Sequence, residues 1–347
     1  MGTLKQHRFI FNFSLLILLS LGMTYIIYKR SSVEGVGGII AQMDYRFIVL
    51  AILFFVLYRS MEGLSFYFLF QSINRPVKLI HCIKYSVIGY FFSQITPCGG
   101  GGQPGQVYAM SQDGISVKQA ISVILPFNLM YHVSLSVFGL LSLVSPLRHV
   151  ILSSGLKLFF YVGLVIQLLL AWGIFLAIKK TDKLSCWLIF LSKKIEHQRF
   201  LKRFYKSPHE IDKSLNQTRQ YLMVVVKNKQ NVMSMFLFQL MMLFFYYGVA
   251  YWTYRALGYH SHSLFNIVAI QCLIIVATEY IPTPGTAGFA ELSMYNIYQQ
   301  IVPNNAAVTW MLVNRLLMLY LAIGVTLVVM SRRNMSIKEI NKNLKNN

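Results

Sequence analysis

Arg59, Glu62, Lys84, Glu279, Glu291 and Arg315 each fall inside or at the edge of a long apolar stretch of this 347-residue chain. A charge kept from water in hydrocarbon costs about 3 kcal/mol or more, so such residues pair, relay protons or hold a charged ligand. Arg59 and Glu62 are three apart, which places them on one helical face where they neutralise one another. Arg315 has no near neighbour of opposite charge in the sequence. A phosphate group is therefore a natural ligand for its guanidinium, with Glu291 or Glu279 as the alternative partner. On the phosphate reading, Arg315→Ala abolishes that binding and spares the fold. His81 and His132 also lie in apolar surroundings. They lack metal-ligand spacing and read as satisfied helix residues, with proton carriage as the second reading.

Two Gly/Pro clusters stand beside these charges. The first, at 95–106, contains Thr96, Pro97, Gly99, Gly100, Gly101, Gly102, Gln103, Pro104 and Gln106. The second, at 281–291, contains Thr283, Pro284, Gly285, Gly288 and Glu291, with Glu279 just ahead of it. Both run Thr-Pro, then glycines, then a polar side chain. Proline removes a helical hydrogen bond and glycine permits close backbone approach, so the freed amides and carbonyls can face a ligand. At bilayer depth such backbone survives only where protein or a wet cavity covers it. Paired interruptions at corresponding places in two halves point to a substrate path at the repeat interface. Tight turns at the membrane surface are the alternative.

No catalytic residue is assigned. The run Gly99 to Gly102 leads into Gln-Pro-Gly-Gln rather than Lys-Ser/Thr, so it is no phosphate loop, and no nucleophile triad or dinucleotide fingerprint finds its context. Cys82, Cys98, Cys186 and Cys272 are scattered, without CxxC or His-paired spacing, so no metal, disulfide framework or cofactor is expected.

The elements that must hold these residues are membrane helices. The chain is 56% hydrophobic and only 12% charged. Stretches of about 20 apolar residues span a hydrocarbon core. They occur at 9–28, 47–70, 118–145, 156–178, 232–257 and 306–330, with shorter ones at 79–94 and 264–281 that run into the Gly/Pro clusters. The first stretch is too long for a signal peptide and ends in Tyr-Lys-Arg, so it reads as a retained span. The fold class is all-α, a polytopic transmembrane bundle. An N-terminal half at 1–178 and a C-terminal half at 232–330 flank a basic loop at 179–231, and a basic tail occupies 331–347.

The formal charge is +21, and the loop carries 13 Lys/Arg against four acidic residues. Basic residues beside spans rather than in a separate domain suit anionic lipid, not nucleic acid. The positive-inside rule puts the loop and both termini in the cytoplasm of a multi-pass cell-membrane protein. Trp187, Leu188, Phe190, Leu191, Ile195, Leu201 and Phe204, interleaved with the loop's basic residues, have the composition of a surface-lying helix or of a solvated linker. Cytoplasmic ends require each half to cross an even number of times. One crossing per apolar segment is odd in both, so the Gly/Pro segments must add a crossing or turn back.

From Thr96 to Gln106, through Tyr108, Asp113-Gly114-Ile115-Ser116 and Lys118 to Ala120, the chain resembles the flippase-like family known as the lysylphosphatidylglycerol synthase transmembrane region. In the second half Ile281-Pro282-Thr283-Pro284-Gly285, Gly288, Glu291 and Arg315 are similar to that family's second signature and its last-span arginine. The resemblance implies translocation of an anionic or aminoacylated phospholipid such as lysyl-phosphatidylglycerol. The family's C-terminal acetyltransferase-like domain has no counterpart in the 17 residues after Met330, which argues against direct lysyl transfer. Cys98, the unbroken glycine run and Asn314 depart from the family pattern and leave the head group open. A membrane component of lysyltransferase-type lipid modification and a small-solute transporter are the alternatives. Anionic membrane phospholipids are the expected partners, with room for a separate lipid-modifying enzyme and a homo-oligomer.

Overall fold

The computed structural model describes residues 2–30, 36–152, 154–179 and 208–331. The surface-helix reading of Trp187 to Phe204 and the basic tail lie outside the described residues. Every regular element within them is helical. In order these are α1 (Gly2–Arg30), α2 (Val36–Ala41), α3 (Tyr45–Ser72), α4 (Leu79–Gln94), α5 (Gly102–Gln112), α6 (Val117–Ser142), α7 (Arg148–Leu152) and α8 (Lys157–Lys179). There follow α9 (Pro208–Lys227), α10 (Lys229–Ala256), α11 (Leu264–Thr278), α12 (Phe289–Tyr298), α13 (Asn304–Arg315), a π-helical turn (Leu316–Leu321) and α14 (Ala322–Ser331). Among the described residues five stretches are long and apolar enough to cross a membrane: α3, α6, α8, α10 and the continuous run from Asn304 to Ser331.

Helix starts follow local chemistry. Asp44, Ser116, Asn228 and Ser263 accept hydrogen bonds from first-turn amides of α3, α6, α10 and α11, filling donors the helix itself leaves unpaired. Outward faces are apolar, with Leu18, Val49, Leu53, Val165, Leu169, Trp172, Leu237 and Val328 exposed. That is the surface expected of helices solvated by lipid.

α3 and α10 form the most extensive helix pair, and they run antiparallel. Asp44 N donates to Ala256 O at 2.9 Å at one end, and Asn231 Nδ2 to Ser72 Oγ at 2.9 Å at the other. Between those bonds Tyr58 meets Tyr246 with ring centroids 4.7 Å apart, and Phe54 lies edge-on to Phe245 at 5.2 Å. Gly248 admits Phe54, since a Cβ there would stand 2.6 Å from its ring.

Each member of this pair opens the same series: long helix, short helix, break, short helix, long helix. The series is α3, α4, 95–101, α5 and α6 in one half, and α10, α11, 279–288, α12 and α13–α14 in the other. Because α3 and α10 are antiparallel, the halves are inverted with respect to one another. α4 leaves the end that carries Ser72, and α5 packs back along it: Phe92 fills the space against Gly105, and Arg75 Nη2 donates to Gly114 O at 3.2 Å. α11 leaves the opposite end, where Ser145 Oγ donates to Asn266 Oδ1 at 3.2 Å, and α12 returns beside it with Tyr298 OH donating to Gln271 Oε1 at 2.7 Å.

Each break thus joins two short helices that pack side by side, α4 with α5 in one half and α11 with α12 in the other. The last stretch differs from the single helix expected over 306–330, because the π turn interrupts it. Tyr90 OH donates to Met318 O at 2.6 Å within that turn, satisfying a carbonyl where the helical ladder is disturbed.

Candidate functional site

In the first break Thr96 does the local work. Its Oγ1 donates to Phe92 O at 2.7 Å and accepts from Gly101 N at 2.8 Å, tying the turn to the end of α4. Gly101 has to be glycine, because a Cβ would lie 2.6 Å from Thr96 Cγ2 and 2.8 Å from Phe92 O. Pro97, Cys98, Gly99, Gly100, Gln103 and Pro104 are exposed, and Gly102 and Gln106 are buried. Gln106, on α5, reaches across to α3: its Nε2 donates to Glu62 Oε1 at 2.7 Å. The other oxygen of Glu62 meets Arg59 Nη2 at 2.7 Å and accepts from Ser86 Oγ at 2.8 Å. Arg59 lies over the rings of Tyr58 and Tyr90, 3.7 and 4.6 Å from their centroids. Arg59 Nη1 also donates to Ser86 O at 3.2 Å, while its Nε is left without a hydrogen-bond partner, so the pair is buried with most but not all of its polar atoms satisfied.

The second break is held by charge directly. Arg315 Nε and Nη2 both lie 2.8 Å from Glu291 Oε1, and Nη2 also donates to Gly285 O at 3.2 Å. Glu291 Oε2 accepts from Gly288 N at 2.7 Å, closing the first turn of α12. Ser20 Oγ of α1 donates to Oε1 at 2.6 Å, and Tyr320 OH, from the π turn, donates to Ser20 Oγ at 3.0 Å. Gly288 sits at φ +86°, a conformation other residues adopt only under strain. Thr283 Oγ1 donates to Ala287 O at 3.1 Å, and Pro284 is buried.

The two breaks meet. Pro97 and Pro284 pair as an isolated antiparallel bridge, and Cys98 Sγ points at Tyr280 O at 3.7 Å. A Cβ on Gly285 would be 3.0 Å from Gln94 O, so one tip is pressed against the other. Tyr90 and Tyr246 are within electrostatic reach of both guanidiniums.

Glu279 stands apart from these pairs. It caps the end of α11, and its carboxylate accepts from Tyr131 OH at 2.9 Å and from Gln167 Nε2 at 2.7 Å. Arg315, separated by 24 residues from Glu291 in the chain, finds its partner only through the fold. This changes the meaning of Arg315→Ala: it orphans a carboxylate at 0% exposure and so disturbs the fold along with any ligand. Ser20, Ser86, Tyr131, Gln167 and Tyr320 join the polar clusters unannounced by any motif. A lone glutamine within the apolar run 156–178 was the one legible signal among them.

The family described as "Lysylphosphatidylglycerol synthase TM region" matches residues 13–325. A "UPF0104 membrane protein" from Archaeoglobus fulgidus is 25% identical over 297 residues, covering 83% of this chain and 87% of that protein.

Proposed function

Because the chain belongs to the lysylphosphatidylglycerol synthase TM region family, we propose that it is an integral membrane lipid translocase. It moves an anionic or aminoacylated phospholipid, such as lysyl-phosphatidylglycerol, between leaflets. The observation that carries this reading is the meeting of two broken segments that enter from opposite ends and touch at Pro97 and Pro284. Inverted repeats with irregular backbone at their interface are the arrangement in which a site can be opened to either side of a bilayer in turn.

Charge supports the direction of approach. Arg75, Lys78, Lys118, Lys179, Lys227 and Lys229 lie toward the Ser72 end, which is cytoplasmic in this reading. There they concentrate anionic lipid at the mouth of the first hairpin. The exposed Gln103 amide at the first break offers a donor to a phosphate, and the two Arg–Glu pairs carry both charge signs of an aminoacylated head group.

The test is exposure of labelled lysyl-phosphatidylglycerol to the outer leaflet of proteoliposomes. The wild type is compared with the Gly102→Leu, Gly288→Leu double variant. Gly102 faces Ser93 Cβ at 3.1 Å from a built Cβ, and Gly288 holds its positive φ, so the two changes strike both breaks. Exposure by the wild type and its loss in the variant support translocation. No exposure by the wild type overturns it for this lipid.

A further inference from the structure

Three carboxylates lie among the packed helices, Glu62 and Glu291 buried and Glu279 half-buried, and they are treated differently. Glu62 has Arg59 and Glu291 has Arg315. Among the described residues no Lys, Arg or His is within ion-pair distance of Glu279. It stands at the C-terminal end of α11, where the helix dipole does nothing to offset a negative charge. Among the described residues its hydrogen-bond donors are the neutral Tyr131 hydroxyl and Gln167 amide.

The Gln167 contact continues. Its Oε1 meets His132 Nδ1 at 2.5 Å. An amide oxygen only accepts, so His132 carries its proton on Nδ1. The chain Glu279–Gln167–His132 thus joins α11, α8 and α6, with Tyr131 on the other oxygen. Beyond Tyr131, the titratable groups electrostatically coupled to Glu279 are Tyr58 of α3, Tyr246 and Tyr247 of α10, and Cys272 and Tyr280 of its own segment. None is a cation. Arg59 and Arg315 are electrostatically coupled to Tyr246, not paired with Glu279.

We infer that Glu279 is a proton-loading site coupled through the Gln167 amide to the tautomer of His132. A proton taken from water by Oε2 turns that oxygen from acceptor into donor. Gln167 meets the new donor by turning its amide end for end, so its oxygen faces Glu279 and its nitrogen faces His132. Nδ1 must then accept, so the ring gives up the proton there and takes one at Nε2, and the imidazole stays neutral. One proton is gained, at Glu279. Because Glu279 begins the second break, the switch moves hydrogen bonds between that break and α6 and α8. Proton relays of carboxylate and imidazole are a recognised use of ionisable residues inside membranes.

The inference stands apart from lipid translocation, since its test needs no substrate. The protein in liposomes is titrated by infrared difference spectroscopy, with the histidine ring nitrogens followed by 15N NMR. The expected result is a protonated-carboxyl C=O band that grows as pH falls and is lost in Glu279→Gln, with the His132 signals exchanging from the Nδ1–H to the Nε2–H pattern in step. In Gln167→Leu the band remains with a shifted midpoint, and His132 no longer follows it. This variant also decides the matter should Glu279→Gln fail to fold. An unchanged band in Glu279→Gln, no titrating band in the wild type, an unmoved midpoint in Gln167→Leu, or a His132 pattern indifferent to the carboxyl would each overturn the assignment.

Discussion

The two breaks share a place in their halves but are built differently. The first is exposed at its tip and is fixed locally, by Thr96 and by glycines that admit Thr96 and Phe92. The second is sunk among helices and fixed at long range, by an arginine that clamps both its carbonyl at Gly285 and its carboxylate at Glu291. One backbone motif can thus be stabilised either by close packing or by charge. The choice leaves the first tip exposed and the second enclosed.

Cysteine accessibility tests the contrast most sharply. In a Cys186→Ser background, a membrane-impermeant thiol reagent is expected to label exposed Cys98 and to leave an Ala287→Cys, Cys98→Ser protein unmodified, since Ala287 is 2% exposed. Equal labelling of both would erase the distinction. The next largest effect falls on the clamp. Arg315→Met strands a buried carboxylate and is expected to cost about 3–5 kcal/mol, and Arg315→Met with Glu291→Leu should recover most of it. Thermal unfolding in nanodiscs reads both, and a single variant as stable as wild type would show that charge does not hold this break.

Smaller losses are expected in the first break. Gly101→Ala forces Thr96 and the Phe92 carbonyl apart, for about 1–3 kcal/mol. Thr96→Val removes the acceptor for Gly101 N, for about 1 kcal/mol. Gly100→Ala, whose added Cβ would meet only Pro97 O at 3.6 Å, should stay within about 0.5 kcal/mol. If the Gly100 change proves as costly as the Gly101 change, the tip is packed more tightly than its exposure suggests.

Hydropathy was enough to locate the long helices, because a bilayer demands long apolar runs and little else resembles them. The places of the breaks were legible for a similar reason: Pro97 and Pro284 cannot continue a helix. With cytoplasmic ends expected, parity asked the broken segments to add a crossing or turn back; in the fold α5 packs along α4 and α12 along α11, a contact that no local sequence pattern states. The short helix α5 was hidden because its glycines, proline and glutamines carry no apolar periodicity, and α12 because its ten residues are far too few to read as a span. Of the two ion pairs, Arg59 with Glu62 was readable from its spacing along one helix. Arg315 with Glu291 stood only as an alternative to a phosphate ligand, with Glu279 as an equal candidate, because the two residues lie on successive helices joined by a turn and the fold alone decides their pairing. The contact between Pro97 and Pro284 joins residues from opposite halves, and no local pattern encodes it.

The joint between the breaks has a mechanical consequence. Proline occupies both bridging positions, and proline has no amide hydrogen to give to a partner strand. The contact crossing the joint from Cys98 Sγ to Tyr280 O is a long thiol bond, much weaker than a ladder of amides. Two amide hydrogens are therefore missing from the joint, and each tip is held chiefly from within its own half, by Thr96 in the first break and by Arg315 in the second.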